Sequence, residues 1–65
     1  MIYHCEIYED ETNDLLNHVS LDEEPVAGAY LRIEIASLGL EVDWLVVRSH
    51  HAVEERCWKV WVNTD

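Results

Sequence analysis

The feature that most limits what this 65-residue chain can form is an alternation of apolar and polar side chains near its two ends. In the segment 2–9, Tyr3, Cys5 and Ile7 occupy every second position. In a strand these three side chains point to the same face, because successive residues point to opposite faces. The chain therefore begins with a predicted β-strand that buries one face.

The polar segment 10–14 follows this strand and is rich in residues that favour turns. Leu15, Val19 and Leu21 can then share one face of a second strand, so the two apolar segments predict a β-hairpin. A short helix near 12–20 explains the same residues nearly as well. The sequence leaves both alternatives open.

The middle of the chain predicts a helix over about 24–38. Acidic residues before Pro25 are typical of a helix start, because carboxylates stabilise the positive end of the helix dipole and proline is tolerated in the first turn. Gly39 can take the left-handed conformation that ends a helix. Against this, segment 31–35 alternates as a strand does, and Gly28 weakens a helix by about 1 kcal/mol. We favour the helix over the strand.

Two segments rich in Val and Trp, 40–48 and 56–63, predict a second β-hairpin joined by the polar segment 49–55. The predicted order is strand, strand, helix, strand, strand. We expect a single α+β domain over 1–65, in which one helix packs on an antiparallel sheet. A mostly-β meander with a short helix near 12–20 is the alternative.

The tryptophans near the C-terminus have a predictable orientation. Trp58 and Trp61 are an odd number of positions apart, so a regular strand places them on opposite faces. Lys59 shares a face with Trp61, and we therefore expect Trp61 to lie on the outer face while Trp58 and Trp44 help fill the core. A partly exposed Trp beside charged residues is a frequent anchor of protein interfaces. The alternative is that a tyrosine of the first strand or a second subunit covers it.

Charge is distributed unevenly along the chain. Eight acidic residues and no Lys or Arg precede Arg32, and the formal net charge is −10. Such a surface repels nucleic acids and anionic lipids, and it attracts basic partners over about a Debye length, roughly 8 Å at physiological salt. We therefore expect a protein partner with a basic surface, no direct nucleic-acid binding and no membrane binding.

The early acidic residues form two groups, one at the first predicted turn and one before the predicted helix. A groove lined by Lys and Arg can hold carboxylates in place of phosphates, because both are anions that accept charge-assisted hydrogen bonds. Solvated acids that keep a small domain soluble are the alternative interpretation. The candidate partner-binding residues are Glu9, Asp10, Glu11, Asp14, Asp22, Glu23, Glu24 and Trp61.

Residues that carry catalysis or bind cofactors show no recognised spacing. The chain contains no nucleophile elbow, phosphate-binding glycine loop or dinucleotide fingerprint, so we expect no enzyme activity and no cofactor. Cys5 and Cys57 are predicted to be reduced thiols, because small secreted domains usually carry more disulfides than one. The spacing of zinc ligands and of a calcium loop is also missing, so we predict no metal site.

The sequence offers no membrane or export signal. It has no run of about 20 apolar residues that could span a bilayer. Its first residues lack the basic-then-apolar order of a signal peptide. We therefore expect a cytoplasmic location.

These observations favour a small acidic protein-binding module that blocks the basic nucleic-acid-binding surface of a larger partner. In size and charge alone, the chain is similar to the small acidic proteins of phages and mobile elements that inhibit host nucleases, polymerases or CRISPR complexes. We expect an anti-CRISPR protein or another anti-defence inhibitor. A homodimeric assembly subunit is one alternative, and a metal- or redox-responsive protein that uses the two cysteines and four histidines is another.

Overall fold

The computed structural model describes residues 1–35 and 39–63, except for the side chains of residues 33–35 and 40. Five β-strands contain most of the described residues, and none of these residues is helical. The strands are β1 (Tyr3–Glu9), β2 (Leu15–Leu21), β3 (Tyr30–Ile35), β4 (Leu40–Ala52) and β5 (Cys57–Asn63).

The five strands form one curled, mixed sheet in the order β2-β1-β5-β4-β3. Both predicted hairpins are present, as the antiparallel pairs β1–β2 and β4–β5. Parallel pairing of β1 with β5 joins the two hairpins at the centre of the sheet. β3 pairs antiparallel with β4, so β2 and β3 form the two edges.

The core lies against one face of the sheet, which we call the inner face. Ile7 of β1 lies opposite Val60 of β5, and Val62 of β5 lies opposite Val46 of β4. These four side chains are at most 1% exposed. Inward and outward positions alternate along β1 as the sequence predicts. The described core residues are Cys5, Ile7, Trp44, Val46, Val60 and Val62, and Tyr3, Val19, Leu21, Leu31, Val42 and Trp58 pack against them.

The connection between β2 and β3, residues 22–29, joins opposite edges of the sheet and passes over the inner face, where Glu24 lines one depression with Tyr3 and Trp58. Pro25 in this connection is a fully buried side chain. The Gly28 amide donates to the Val46 carbonyl (2.9 Å), and the Val46 amide donates to the Ala29 carbonyl (2.8 Å). Gly28 has a φ of 92°, in the region that favours glycine. This loop therefore lies where we expected a helix to pack on the sheet.

The predicted α+β fold is wrong, because no described residue in the range 24–38 is helical. Residues 24–29 form a loop and Tyr30–Ile35 form β3, while residues 36–38 lie outside the described part of the chain. Pairing with β4 decides the outcome. Leu31 packs against the core from β3, so the alternation in this segment marks a strand rather than a helix.

The mostly-β alternative is correct in its sheet content and wrong in its helix. Thr12 lies in a turn, and the residues that could have formed a helix near 12–20 form β2 instead. Gly39 has the left-handed conformation that we predicted, with a φ of 64°, but it lies in the connection between β3 and β4. The acidic residues before Pro25 therefore follow a strand and do not begin a helix.

Truncation of Ile7 tests the assigned core. Ile7 is 0% exposed, and we expect Ile7→Ala to lower the free energy of unfolding by about 3 kcal/mol, through lost burial and the cavity left behind. Ile2 makes the matched control, because it is 58% exposed and Ile2→Ala should change the same quantity by less than about 0.5 kcal/mol. Urea unfolding followed by tryptophan fluorescence measures both variants. Equal losses in the two variants would contradict this core.

Candidate functional site

The first acidic group lies in the turn that joins β1 to β2. The Asn13 amide donates to the Glu9 carbonyl (2.8 Å), and the Glu9 amide donates to the Asp14 carbonyl (2.9 Å). Asn13 has a φ of 62°, which asparagine tolerates better than most residues. Glu9 and Asp10 are half-buried, and Glu11 and Asp14 are exposed. We call Glu9, Asp10, Glu11 and Asp14 the turn acids.

The second acidic group, which we call the distal acids, consists of Asp22, Glu23 and Glu24. All three residues are exposed and directly follow the last residue of β2. Because Asp14 precedes β2 and Asp22 follows it, the two groups lie at opposite ends of this strand, about 25 Å apart at the rise of an antiparallel strand. The structure thus places the acids in two separate groups and not in one continuous cluster.

Five of these seven acids have no ion pair with a Lys or Arg within the described residues, namely Glu11, Asp14, Asp22, Glu23 and Glu24. Arg48 pairs with Asp10 of the turn acids. Arg56 and Glu24 line the same surface depression, without a described ion pair between them. Ion pairs among the described residues include Arg48–Asp10 (3.6 Å), Arg32–Asp43 (3.2 Å), Lys59–Glu55 (3.2 Å) and Lys59–Glu6 (3.9 Å).

Trp61 lies on the outer face and is half-buried, covered by two neighbouring strands. The Tyr8 ring on β1 stacks on its indole, with centroids 5.4 Å apart and an interplanar angle of 22°. The Arg48 guanidinium on β4 lies 4.0 Å from the centroid of the indole. The indole Nε1 donates to Asn13 Oδ1 at 2.6 Å. A partner would therefore meet the edge of a Tyr8–Trp61–Arg48 stack rather than a free indole face.

The predicted orientations of the other two tryptophans are confirmed. Trp44 is buried, and Trp58 packs against the core from the inner face. Trp58 also has a ring on each side, since Tyr3 meets it edge-on at 6.1 Å and His51 stacks on it at 4.7 Å. His51 belongs to β4 and not to the loop that we predicted there.

Two exposed leucines lie beside the turn acids. Leu15 does not share the inner face of Val19 and Leu21 as predicted, because a register shift places it opposite Tyr8. Leu15 is 48% exposed and Leu16 is 38% exposed, at the start of edge strand β2. Adjacent residues of a strand point to opposite faces, so two consecutive leucines cannot both face the core. Two consecutive leucines in a predicted strand therefore indicate that at least one of them is exposed and available for an apolar contact. Exposed apolar side chains next to charged residues are a common composition for protein interfaces.

Three side chains of types that can bind a metal ion lie together on the outer face. They are Glu6, Glu55 and Cys57, and their potential ligand atoms lie within 4.8 Å of one another. Lys59 Nζ lies 3.2 Å from Glu55 Oε2 and 3.9 Å from Glu6 Oε1. A hydrogen bond to Glu55 raises the pKa of Lys59, which keeps this ammonium charged. Burial first, and then the negative charge of Glu6 and Glu55, raise the pKa of Cys57. Lys59 therefore supplies a cation at this cluster, and a protonated thiol is a poor metal ligand.

The chain matches no protein-family model, no curated protein and no solved structure. Among the described residues, no helix has the length and apolar character needed to cross a membrane.

Substitutions of Asn13 test how the turn is tied to Trp61. Asn13→Gly keeps the left-handed conformation but loses the hydrogen bond to the indole, and we expect a loss of about 1 kcal/mol in the free energy of unfolding. Asn13→Ala also strains the backbone, so its loss should reach about 2 kcal/mol. Asn13→Asp retains an acceptor and should stay close to wild type. Urea unfolding measures the losses, and the NMR signal of the Trp61 indole proton reports the hydrogen bond directly.

The thiol of Cys5 predicts a pH dependence of stability. Burial, and then proximity to Cys57, raise the pKa of Cys5 from 9.0 to about 11. Between these values the unfolded thiol is ionised and the folded thiol is not, so unfolding releases a proton and stability falls as pH rises. Cys5→Ala should show a shallower fall over this range. Val60→Ala, which also truncates a buried side chain but removes no titratable group, is the control, and equal slopes in both variants would refute the assignment.

Proposed function

We propose that this chain is a small acidic inhibitor module of the cytoplasm, which binds a larger protein and blocks that protein's basic nucleic-acid-binding surface. One observation carries the proposal. Seven solvent-accessible acidic residues lie at the two ends of edge strand β2. Five of them, Glu11, Asp14, Asp22, Glu23 and Glu24, have no ion pair with a Lys or Arg within the described residues. Positive charge for these five is left to a partner or to counterions.

The separation of the two acidic groups suits a groove that holds nucleic acid. Their separation of about 25 Å corresponds to the rise of about seven base pairs at about 3.4 Å each. A protein that binds such a stretch presents Lys and Arg over a similar length. Carboxylates docked there release counterions from a highly charged surface, as phosphates do. They also accelerate association, because opposite net charges steer the two proteins together.

Leu15 and Leu16 supply an apolar contact beside the turn acids. Charged residues give specificity and association rate more than affinity, so a tight inhibitor also needs apolar area that loses water on binding. Both leucines are accessible and lie directly after Asp14. We propose that they, together with the exposed edge of Trp61, form the apolar contact of the inhibitory surface.

Charge reversal tests this function. The tagged chain is immobilised, incubated with nuclease-treated lysate of the organism that carries its gene, and eluted in steps of rising salt. We expect a basic nucleic-acid-binding protein that elutes at raised salt and that added DNA or RNA displaces. Glu11→Lys combined with Asp14→Lys should reduce capture about tenfold or more, because lost attractions become repulsions.

The matched control carries Glu41→Lys and Glu54→Lys, two exposed acids outside both groups. It has the same net charge as the test variant and should retain most of the capture. Equal loss in both variants would mean that net charge alone, and not the acidic groups, attracts the partner. Recovery of the bait alone, or capture that DNA and RNA leave unchanged, would contradict the proposed function.

A further inference from the structure

We infer that the free edge of β2 is the docking site, and that it receives an extended segment of the partner with basic residues at both ends. The segment adds to the sheet as a further strand beside β2. This inference rests on the proposed function, and it names the docking site and the chemistry of what binds there.

The edge of β2 is open to strand addition. β2 pairs with β1 on one side and forms an edge of the sheet on the other. Backbone N–H and C=O groups of an edge strand alternate in direction, so half of them point outward and can pair with another strand. Leu15–Leu21 contains no Lys, Arg, Asp, Glu or Pro, the residues that commonly block such pairing. No charged side chain or proline therefore protects β2. The His18 amide is already bonded to a side chain, since it donates to Asn17 Oδ1 (2.8 Å), and an added strand has to replace this bond if it uses that amide.

The opposite edge of the sheet differs in this respect. β3 contains Arg32 and Glu34. The Arg32 guanidinium also forms an ion pair with Asp43 of β4, at 3.2 Å. Charged residues on an edge strand oppose the approach of another strand. The contrast between the two edges favours β2 as the one that accepts a partner.

Charge at the two ends of β2 defines the segment that fits. Asp14 directly precedes Leu15, and Asp22 directly follows Leu21. The other turn acids and distal acids extend these two negative ends. A strand as long as β2, with Lys or Arg just beyond each end, would place its basic side chains beside both groups. Its central residues would meet the uncharged stretch of β2.

A second copy of this chain fits the same edge poorly. Antiparallel pairing of two β2 strands about His18 would place Asp14 of one copy opposite Asp22 of the other at both ends. Parallel pairing in register would place each acidic group beside its own copy. Like charges directly opposite each other destabilise a pair of strands. A basic segment would form ion pairs at the same positions, so this edge fits a different protein better than a second copy of the chain.

The side chains of β2 also predict the central pattern of the segment. Val19 and Leu21 pack against the core from the inner face. His18 and Ser20 alternate with them and are exposed. An added strand would extend the core if apolar residues occupied its inward positions and polar residues its outward positions. The expected segment therefore alternates in its centre and is basic at both ends.

A synthetic peptide tests the inference. It has two lysines at each end and a centre of alternating Val and Thr as long as β2, and its binding to the full chain is followed by fluorescence polarisation. Asp14→Lys combined with Asp22→Lys should weaken binding about tenfold or more. The Glu41→Lys and Glu54→Lys control, with the same net charge, should change it less than about threefold.

Two N-methylated peptides separate strand addition from general attraction between charges. Each carries N-methyl groups on one of the two alternating sets of central amides, so each lacks the donors on one side of the strand. We expect one of them to lose binding and the other to keep it. Amide hydrogen exchange of the complex should gain protection at alternate residues of β2 and show no gain in β3.

Binding of both methylated peptides as tight as that of the unmodified peptide, or protection confined to β3, would overturn the docking site. The capture experiment is independent of this result. If DNA or RNA still displaces the captured protein while the β2 amides gain no protection from hydrogen exchange, the inhibitor function is supported and strand addition is rejected. If the peptide binds and protects the β2 amides but no nucleic-acid-binding protein is captured, strand addition is supported and the inhibitor function is rejected.

Discussion

Parallel pairing of β1 with β5 is the interaction on which the rest of the structure depends. The other pairings of the two hairpins form between neighbouring parts of the chain, and an isolated hairpin is marginally stable in water. Pairing of β1 with β5 places Ile7 beside Val60 and joins the two hairpins into one sheet. The same pairing creates a continuous inner face that loop 22–29 covers through buried Pro25. Without it, neither hairpin has enough apolar surface to bury.

The same junction also organises the outer face. Trp61 on β5 stacks with Tyr8 across the junction, and Lys59 on β5 pairs with Glu6. Two of the four basic residues, Arg48 and Lys59, are thus placed around the central strands, where neighbouring acids hold them. These two positive charges therefore lie near the centre of the sheet, whereas the ends of the β1–β2 hairpin carry mostly acidic residues. The excess of acids in the first half of the sequence thus becomes an excess of negative charge along one edge of the sheet.

Sequence patterns predicted the strands near the two ends of the chain well, because alternation there had one interpretation. Tyr3, Cys5 and Ile7 face the inner side as expected, and so does Trp58. In the middle of the chain two signals competed. Acidic residues before Pro25 indicated a helix start, while the alternation from Leu31 onward indicated a strand. Local signals of this kind are weak beside tertiary pairing, and an available edge on β4 decided for the strand.

The sequence likewise predicted only part of the candidate site. Sequence alone identified the acidic residues, but it could not tell how far apart the two groups lie, since that distance depends on β2 being an extended strand. It also placed Trp61 on the outer face, yet the stack with Tyr8 and Arg48 needs β1 and β4 on either side of β5. The Glu6, Glu55 and Cys57 cluster has no sequence spacing to reveal it, because its members come from β1, the turn before β5, and β5 itself.

By itself, the sequence determined which residues alternate, where turns interrupt them, and that the first half of the chain carries negative charge without bases. These are local properties that depend on side-chain chemistry and on the period of a strand. Tertiary structure alone decided the order of the strands, the loop cover of the core and the identity of the edges. Those outcomes depend on which distant segments bury apolar surface together, and an edge is defined only by the strand that is missing beside it.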